Sequence, residues 1–320
     1  MKKLITVITL LFLLTACGGQ TRLIPAPTLT AAPTSLPTRT AIPSVTAEAP
    51  DPTQTAVPEA TDAPITNHIS PVDGMPQVYI PAGTFRMGGM DVRSGPDEMP
   101  AHEVTLDAYW MDQLEVTNAM YLLCVRQGPC LPPQDFKSSR RNDYFLNPEF
   151  KDYPVVYVTW GQAKAYCEWA GRHLPSEAQW ERAARGDDWR TFPWGEDKAD
   201  GLRANFNMLV GDTSRVGTYP LGASPFGVLD MAGNVAEWTH DYYSAVYYNS
   251  PQAALNPTGP ETSASLRRVV RGGSLGDAEI NIRVPKRSAV LGSNLNAVPG
   301  TSAWLGDFSP RIGFRCAADE

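Results

Sequence analysis

Five cysteines, four histidines and a few clusters of oxygen-bearing side chains are the candidates for chemistry in this chain of 320 residues. The cysteines are Cys17, Cys124, Cys130, Cys167 and Cys316. With Cys17 set aside as a modification site in the leader, an even four remain, and in an exported chain that number reads as two disulfides. Cys124 and Cys130 flank the turn Val125–Pro129 at the end of a helix and would pair locally. A metal-binding cysteine pair fits poorly, because the spacing is wider than Cys-x₂₋₄-Cys and His68, His102, His173 and His240 are scattered. There is no HExxH, no Gly-x-Ser-x-Gly elbow and no phosphate loop. Ser274, after Arg271-Gly272-Gly273, has no base in view, so no catalytic residue emerges. The stretch Asp230-Met231-Ala232-Gly233-Asn234-Val235-Ala236-Glu237 offers oxygen ligands of the kind Ca²⁺ takes, folded by a glycine turn. The same residues also read as Asx-turns with solvated acids.

The elements that must position these residues are short. Val78–Gly88 alternates about a turn and predicts a hairpin, and Val104–Met111 predicts a further strand region. Thr117 is placed to cap a helix from Asn118 to Arg126. Thr159 is placed to cap another running through Ala170, with Ala163, Tyr166, Trp169 and Ala170 on one face and Gly171 at its end. Ser176-Glu177-Ala178-Gln179 is a capping box. Beyond Gly186 the chain is rich in Gly, Pro, Asn and Asp, and such long irregular stretches need metal ions or disulfides besides a core.

The first quarter has a different composition. Met1-Lys2-Lys3 followed by apolar Leu4–Leu14 reads as a secretory signal, too short to span a bilayer. It ends in Leu14-Thr15-Ala16-Cys17, which looks like a lipobox with Cys17 as the lipidated residue; the other reading is an ordinary signal with an incidental cysteine. Residues 18–74 are dominated by Thr, Pro and Ala and predict an extended or disordered stalk reaching up to ~170 Å. Residues 75–320 are long enough for one domain with a substantial core. The net charge of −7 argues against nucleic acid and anionic membrane as electrostatic partners. The expected location is therefore extracytoplasmic, with the membrane touched only through the lipid.

Several ordered segments resemble the sulfatase-modifying factor (formylglycine-generating enzyme) family. They include Ile80-Pro81-Ala82-Gly83-Thr84-Phe85-Arg86-Met87-Gly88 and Leu114-Glu115-Val116-Thr117-Asn118. Further along come Leu174-Pro175-Ser176-Glu177-Ala178-Gln179-Trp180-Glu181, Phe226–Thr239, Arg271-Gly272-Gly273-Ser274 and Ile312-Gly313-Phe314-Arg315-Cys316. The resemblance runs from about Val78 to Ala317 and implies an irregular, loop-rich α+β fold related to C-type lectin domains. It implies one or two structural Ca²⁺ ions. One would be held by the side chains of Asp230 and Glu237 and the carbonyls of Gly233 and Val235. A second would use Asn205 and Asp212 by side chain and Phe206 and Ser214 by carbonyl. It also implies a Cys167–Cys316 disulfide.

The family's chemistry, oxidation of a substrate cysteine by O₂ at Cu(I), needs two thiolates shortly after the Arg-Gly-Gly-Ser segment. This chain has Ser274–Arg283 there, with no cysteine and with Asp277 near the first thiol's position. Carboxylate is a hard ligand unsuited to Cu(I), so copper is not expected. The expectation is a non-catalytic, Ca²⁺-supported module that binds an extracytoplasmic protein or small ligand. Its groove would be lined by Ser274, Asp277, Arg283, Arg287 and Trp304. The competing expectation is an oxidase with unusual ligands, or another activity in the same groove.

Overall fold

Thr117, Thr159 and Ser176 each accept a backbone N–H three residues on, and each starts a helix. The computed structural model describes residues 67–320 except 295, 299, 300 and 302–304. Its strands and helices are β1 (Asn67–Ile69), β2 (Pro76–Ile80), β3 (Gly83–Met87), β4 (His102–Leu106), β5 (Tyr109–Asp112), α1 (Asn118–Gln127), α2 (Trp160–Trp169) and α3 (Glu177–Arg185). Then come β6 (Ala236–Tyr242), β7 (Arg267–Arg271), β8 (Ser288–Leu291), β9 (Ile312–Gly313) and β10 (Ala317–Asp319). They form sheets in the orders β1-β2-β5-β10, β3-β4 and β8-β7-β6-β9. Of the strand pairs among the described residues, β6–β9 alone is parallel. The architecture is the loop-rich mixture of helix and sheet that the sequence leads one to expect. Among the described residues no helix is long and apolar enough to cross a membrane.

One expectation about strands fails through competition for edges. Val78–Gly88 is not a hairpin: β2 has β1 on one edge and β5 on the other, so β3 pairs with β4 instead. Val104–Met111 is a strand region, divided between two strands. It breaks at Asp107, whose N–H donates to Asn256 Oδ1 at 2.9 Å, so that β4 and β5 enter different sheets. The packed chain also begins before residue 75, since β1 pairs with β2 and Tyr166 donates to the Asp73 carboxylate at 2.6 Å.

The core has two main parts. One surrounds Tyr121, Tyr166, Trp238 and Phe314 between α1, α2 and β6. The other lies under α3, where Trp180, Ala183 and Ala184 meet β2–β5. Two disulfides supplement it, Cys124–Cys130 at the end of α1 and Cys167–Cys316 between α2 and the segment leading into β10. Their sequence separations of 6 and 149 residues differ enough to separate their effects. By loop-closure entropy, replacing Cys167 and Cys316 with serine should cost about 5 kcal/mol, and replacing Cys124 and Cys130 about 2 kcal/mol. Urea unfolding of the two double variants is the measurement; equal losses would contradict this account.

Candidate functional site

Three loops meet at the centre of the expected site. In the loop before β6, Asp230, Gly233 and Asn234 have φ of 59°, 82° and 54°, all left-handed. Gly233 is required there, because a Cβ would stand 2.4 Å from the Asn205 carbonyl oxygen. That close approach lets Asn234 N donate to Asn205 O at 2.7 Å and Gly233 N to Gly272 O at 3.0 Å. From the segment after Gly273, Leu275 N reaches Asn234 O at 2.8 Å. Leu275 O and Asp277 O in turn accept from Met208 and Asn207. The residues assigned from sequence to two calcium sites and to the ligand groove thus belong partly to one hydrogen-bonded assembly.

Asn234, which the sequence reading left without a role, is its hub. Its Oδ1 accepts from Ser214 N at 2.8 Å, and its Nδ2 donates to Glu115 Oε2 at 2.6 Å. Glu115 also accepts from Val235 N at 3.1 Å. Glu237 is held by Arg315, whose Nε and Nη2 donate to its two carboxylate oxygens at 2.7 and 2.8 Å, and by Trp180 Nε1 at 2.7 Å. Asp230 accepts from Gly217 N at 2.6 Å. Glu115, Asp230 and Glu237 are all buried, with Arg315 as the guanidinium among them. Burial, reinforced by repulsion from Asp230 and Glu237, pushes the Glu115 carboxyl well above the usual range. Burial pushes Asp230 up to about 6, against the Gly217 N–H and Arg315, which act to lower it. Glu115 and Arg315 sit in apolar runs, Leu114-Glu115-Val116 and Phe314-Arg315-Cys316. A charge in such a run signals a buried partner, and that was the available clue.

The second predicted set divides. Asn205 is fully buried; its Nδ2 donates to Asp212 O at 2.8 Å, while its Oδ1 has no hydrogen-bond partner among the described residues. Asp212 turns its carboxylate to Ser138 Oγ, Arg140 N and Thr213 N at 2.6 to 3.0 Å, with Arg141 at 3.4 Å. The Phe206 carbonyl accepts from Leu209 N at 2.9 Å, and that of Ser214 from Asn234 Nδ2 at 3.4 Å. Among the described residues no three His, Cys, Asp or Glu side chains are grouped to hold a metal. Any cation here must draw on carbonyl and amide oxygens as well.

The expected groove is not assembled as one wall. Ser274, itself buried, donates from N and Oγ to Asp277 Oδ2 at 2.8 and 2.7 Å, closing a turn. Arg287 is buried, with its guanidinium on both Glu177 oxygens at 2.7 and 2.8 Å and on the Asp97 and Ser244 carbonyls. Arg283 is likewise buried on Glu98 and on the Arg93 carbonyl. Guanidinium groups this deep find carboxylates before they find a ligand, which short-range sequence cannot show. Trp304 lies outside the described residues, as do Cys17, the leader and the stalk up to residue 66.

The family described as "Sulfatase-modifying factor enzyme 1-like domain" matches residues 66–320. The formylglycine-generating enzyme of Thermomonospora curvata is 31% identical over 293 residues, covering 76% of this chain and 93% of that protein. The serine/threonine-protein kinase Pkn1 of Chlamydia trachomatis is 35% identical over 254 residues, 76% of this chain. The match takes in only 38% of that longer relative. Among solved structures, PvdO from Pseudomonas aeruginosa superposes with a TM-score of 0.64 at 28% identity, over 81% of this chain and 99% of that one.

A raised carboxyl pKa has a definite sign. Asp230 binds its proton more tightly folded than unfolded, so its contribution to stability is full below about pH 3.8 and is lost as pH rises through about 6. Asp230→Asn keeps an acceptor for Gly217 and tolerates the left-handed backbone. In chelator at neutral pH it should stabilise the fold by about 2 kcal/mol, with the gain gone by about pH 4. Thermal unfolding across that range checks it; destabilisation at neutral pH would be the contrary result.

Proposed function

This chain belongs to the sulfatase-modifying factor family, and from that premise we propose that its domain is a non-catalytic, calcium-stabilised binding module. In this reading Cys17 carries a lipid that holds the domain at the outside of a bacterial membrane, and the Pro/Thr-rich segment gives it reach. The observation that carries the non-catalytic part is the state of the cysteines. All four in the domain are in disulfides, Cys124 with Cys130 and Cys167 with Cys316. No thiol is left to hold Cu(I). The carboxylate of Asp277, near the first thiol's position, is tied to Ser274 by two hydrogen bonds and is a hard ligand. The residues present do not fit copper.

They do fit a hard cation. Asn205 Oδ1 is a fully buried acceptor with nothing donating to it, and such an atom costs stability unless a donor or cation meets it. Asp230 and Glu237, with Glu115 behind them, put three buried carboxylates against the one guanidinium of Arg315. Asp230 with the carbonyls of Gly233 and Val235 would hold one Ca²⁺, Glu237 contributing only what Arg315 and Trp180 leave free. Asn205 with the carbonyls of Phe206 and Ser214 would hold a second, Asp212 contributing only what its protein donors leave free. Bound calcium would supply fixed positive charge that draws three loops together and would take no part in a reaction.

The similarity to formylglycine-generating enzymes over nearly their whole length favours the second reading, an oxidase acting on protein cysteine. One experiment separates the two. The purified chain is incubated with Cu(I), O₂ and a sulfatase-type cysteine peptide, and the peptide is examined by mass spectrometry. The expected result is an unmodified peptide and no reactive thiol in the folded protein; formylglycine in the peptide would establish the oxidase. For calcium, adding CaCl₂ to chelator-treated protein at ~100 times its Kd should stabilise the fold by about 3 kcal/mol, raising Tm by roughly 6–10 °C. An unchanged melting curve would remove both calcium sites.

A further inference from the structure

A cavity of about 470 Å³ is lined by none of the residues of the three loops. The end of β4 and Asn256–Thr258 form one side. His173, His240 and the first turn of α3 form another. Its size lies within the roughly 300–1,000 Å³ of small-molecule sites. Leu106 and Leu174 are buried beneath it and give it an apolar floor.

The polar groups around this floor fall into two classes. The two carboxylates, Asp107 and Asp319, each face a polar neighbour but no Lys or Arg among the described residues. Asp107 is fastened to Asn256 in both directions, by its N–H to Oδ1 at 2.9 Å and by its carboxylate accepting from Nδ2 at 2.8 Å. His173 Nδ1 lies 2.9 Å from the Leu174 carbonyl and so carries the hydrogen, while Nε2 stands 3.3 Å from the Asp319 carboxylate. The groups without partners among the described residues are neutral. Gln179 spends its Oε1 on Ser176 N, which leaves its amide nitrogen unengaged. The Thr258 hydroxyl makes no hydrogen bond. The His240 ring lies against Trp160 and has neither nitrogen bonded. Burial, with the nearby Arg268, His173 and Lys164, holds His240 below its usual pKa. It therefore presents one N–H and one lone pair at neutral pH.

We propose that this cavity binds a saccharide, a neutral pyranose whose C–H face rests on Leu106 and Leu174 and whose hydroxyls meet His240, Gln179 and Thr258. A hydroxyl both donates and accepts, and so matches an imidazole, an amide N–H and another hydroxyl together. An anionic ligand would meet the carboxylates of Asp107 and Asp319 with no Lys or Arg in the lining to offset them, and a cationic one would find these carboxylates only at the exposed rim, away from Leu106 and Leu174. An apolar ligand would strip water from these polar groups and leave them unpaired. The inference uses none of the residues assigned to calcium or to the Ser274–Asp277 turn, and stands apart from the proposal about them.

The test is saturation-transfer NMR on the full chain with glucose, galactose and N-acetylglucosamine, with ethanolammonium and malonate as charged controls. Saturable transfer from at least one sugar and none from the controls is expected. His240→Ala should weaken binding up to about tenfold, the loss of one hydrogen-bonding group. Thr258→Ala, at an exposed position, should weaken it several-fold with no change in the melting curve. Ala108→Trp should abolish binding by filling the cavity. No transfer from any of the three sugars, stronger binding of a charged control, or sugar binding unaffected by Ala108→Trp and Thr258→Ala would overturn the proposal.

Discussion

The guanidinium of Arg315, fully buried, holds the domain's centre together. It grips both oxygens of Glu237, and its Nη1 and Nη2 also donate to the carbonyls of Asp112 and Leu229 at 3.0 and 2.8 Å. One side chain thus joins the C-terminal segment, β5, the loop that carries Asp230 and the start of β6. Taking such a charge out of water is expensive, and only a full set of partners repays it. Every element that supplies a partner is thereby fixed relative to the others. The Cys167–Cys316 bond, one residue along from Arg315, fastens the same segment to α2 by covalent means.

Comparable arrangements recur under α3. Arg271 meets Glu181 and Glu177, Arg185 meets Glu181, and Arg287 meets Glu177. These pairs lie beside an apolar core broken into several clusters. Removing one partner from a pair of this kind typically costs about 3–5 kcal/mol, because the other charge stays buried. In a fold where strands of two to seven residues supply little sheet, geometry depends on these directional contacts as much as on area. Rigidity of that sort suits a frame whose loops carry binding residues.

The candidate site follows the same logic in reverse. Around Asn234 the partners are nearly complete, yet Asn205 Oδ1 is unpaired and Asp230 and Glu115 carry raised pKa values through burial. Those departures mark the place where the frame has acceptors and negative charge to spare. Asp277 shows the opposite: its carboxylate is consumed locally by Ser274, which makes the turn a piece of structure.

Much of this was legible in residue order. The caps at Thr117, Thr159 and Ser176 are local hydrogen bonds, and helix starts follow from them directly. The local cysteine pair follows from short spacing, and the tight loop at Gly233 from the turn chemistry of Asp, Gly and Asn. The family motifs carried the rest of the frame, including the Cys167–Cys316 bond and the loss of the thiols after Ser274. Which edge β3 would join, and that Arg283 and Arg287 would be spent on Glu98 and Glu177, could not be read this way. Those outcomes depend on contacts between segments far apart in the chain, 110 residues for Arg287 with Glu177 and 185 for Arg283 with Glu98. The cavity beside His240 likewise exists only because β4, α3 and Asn256–Thr258 come together in space. Local chemistry fixes what each short segment can form; desolvation, acting once distant segments pack, settles which polar groups are used up and which stay open.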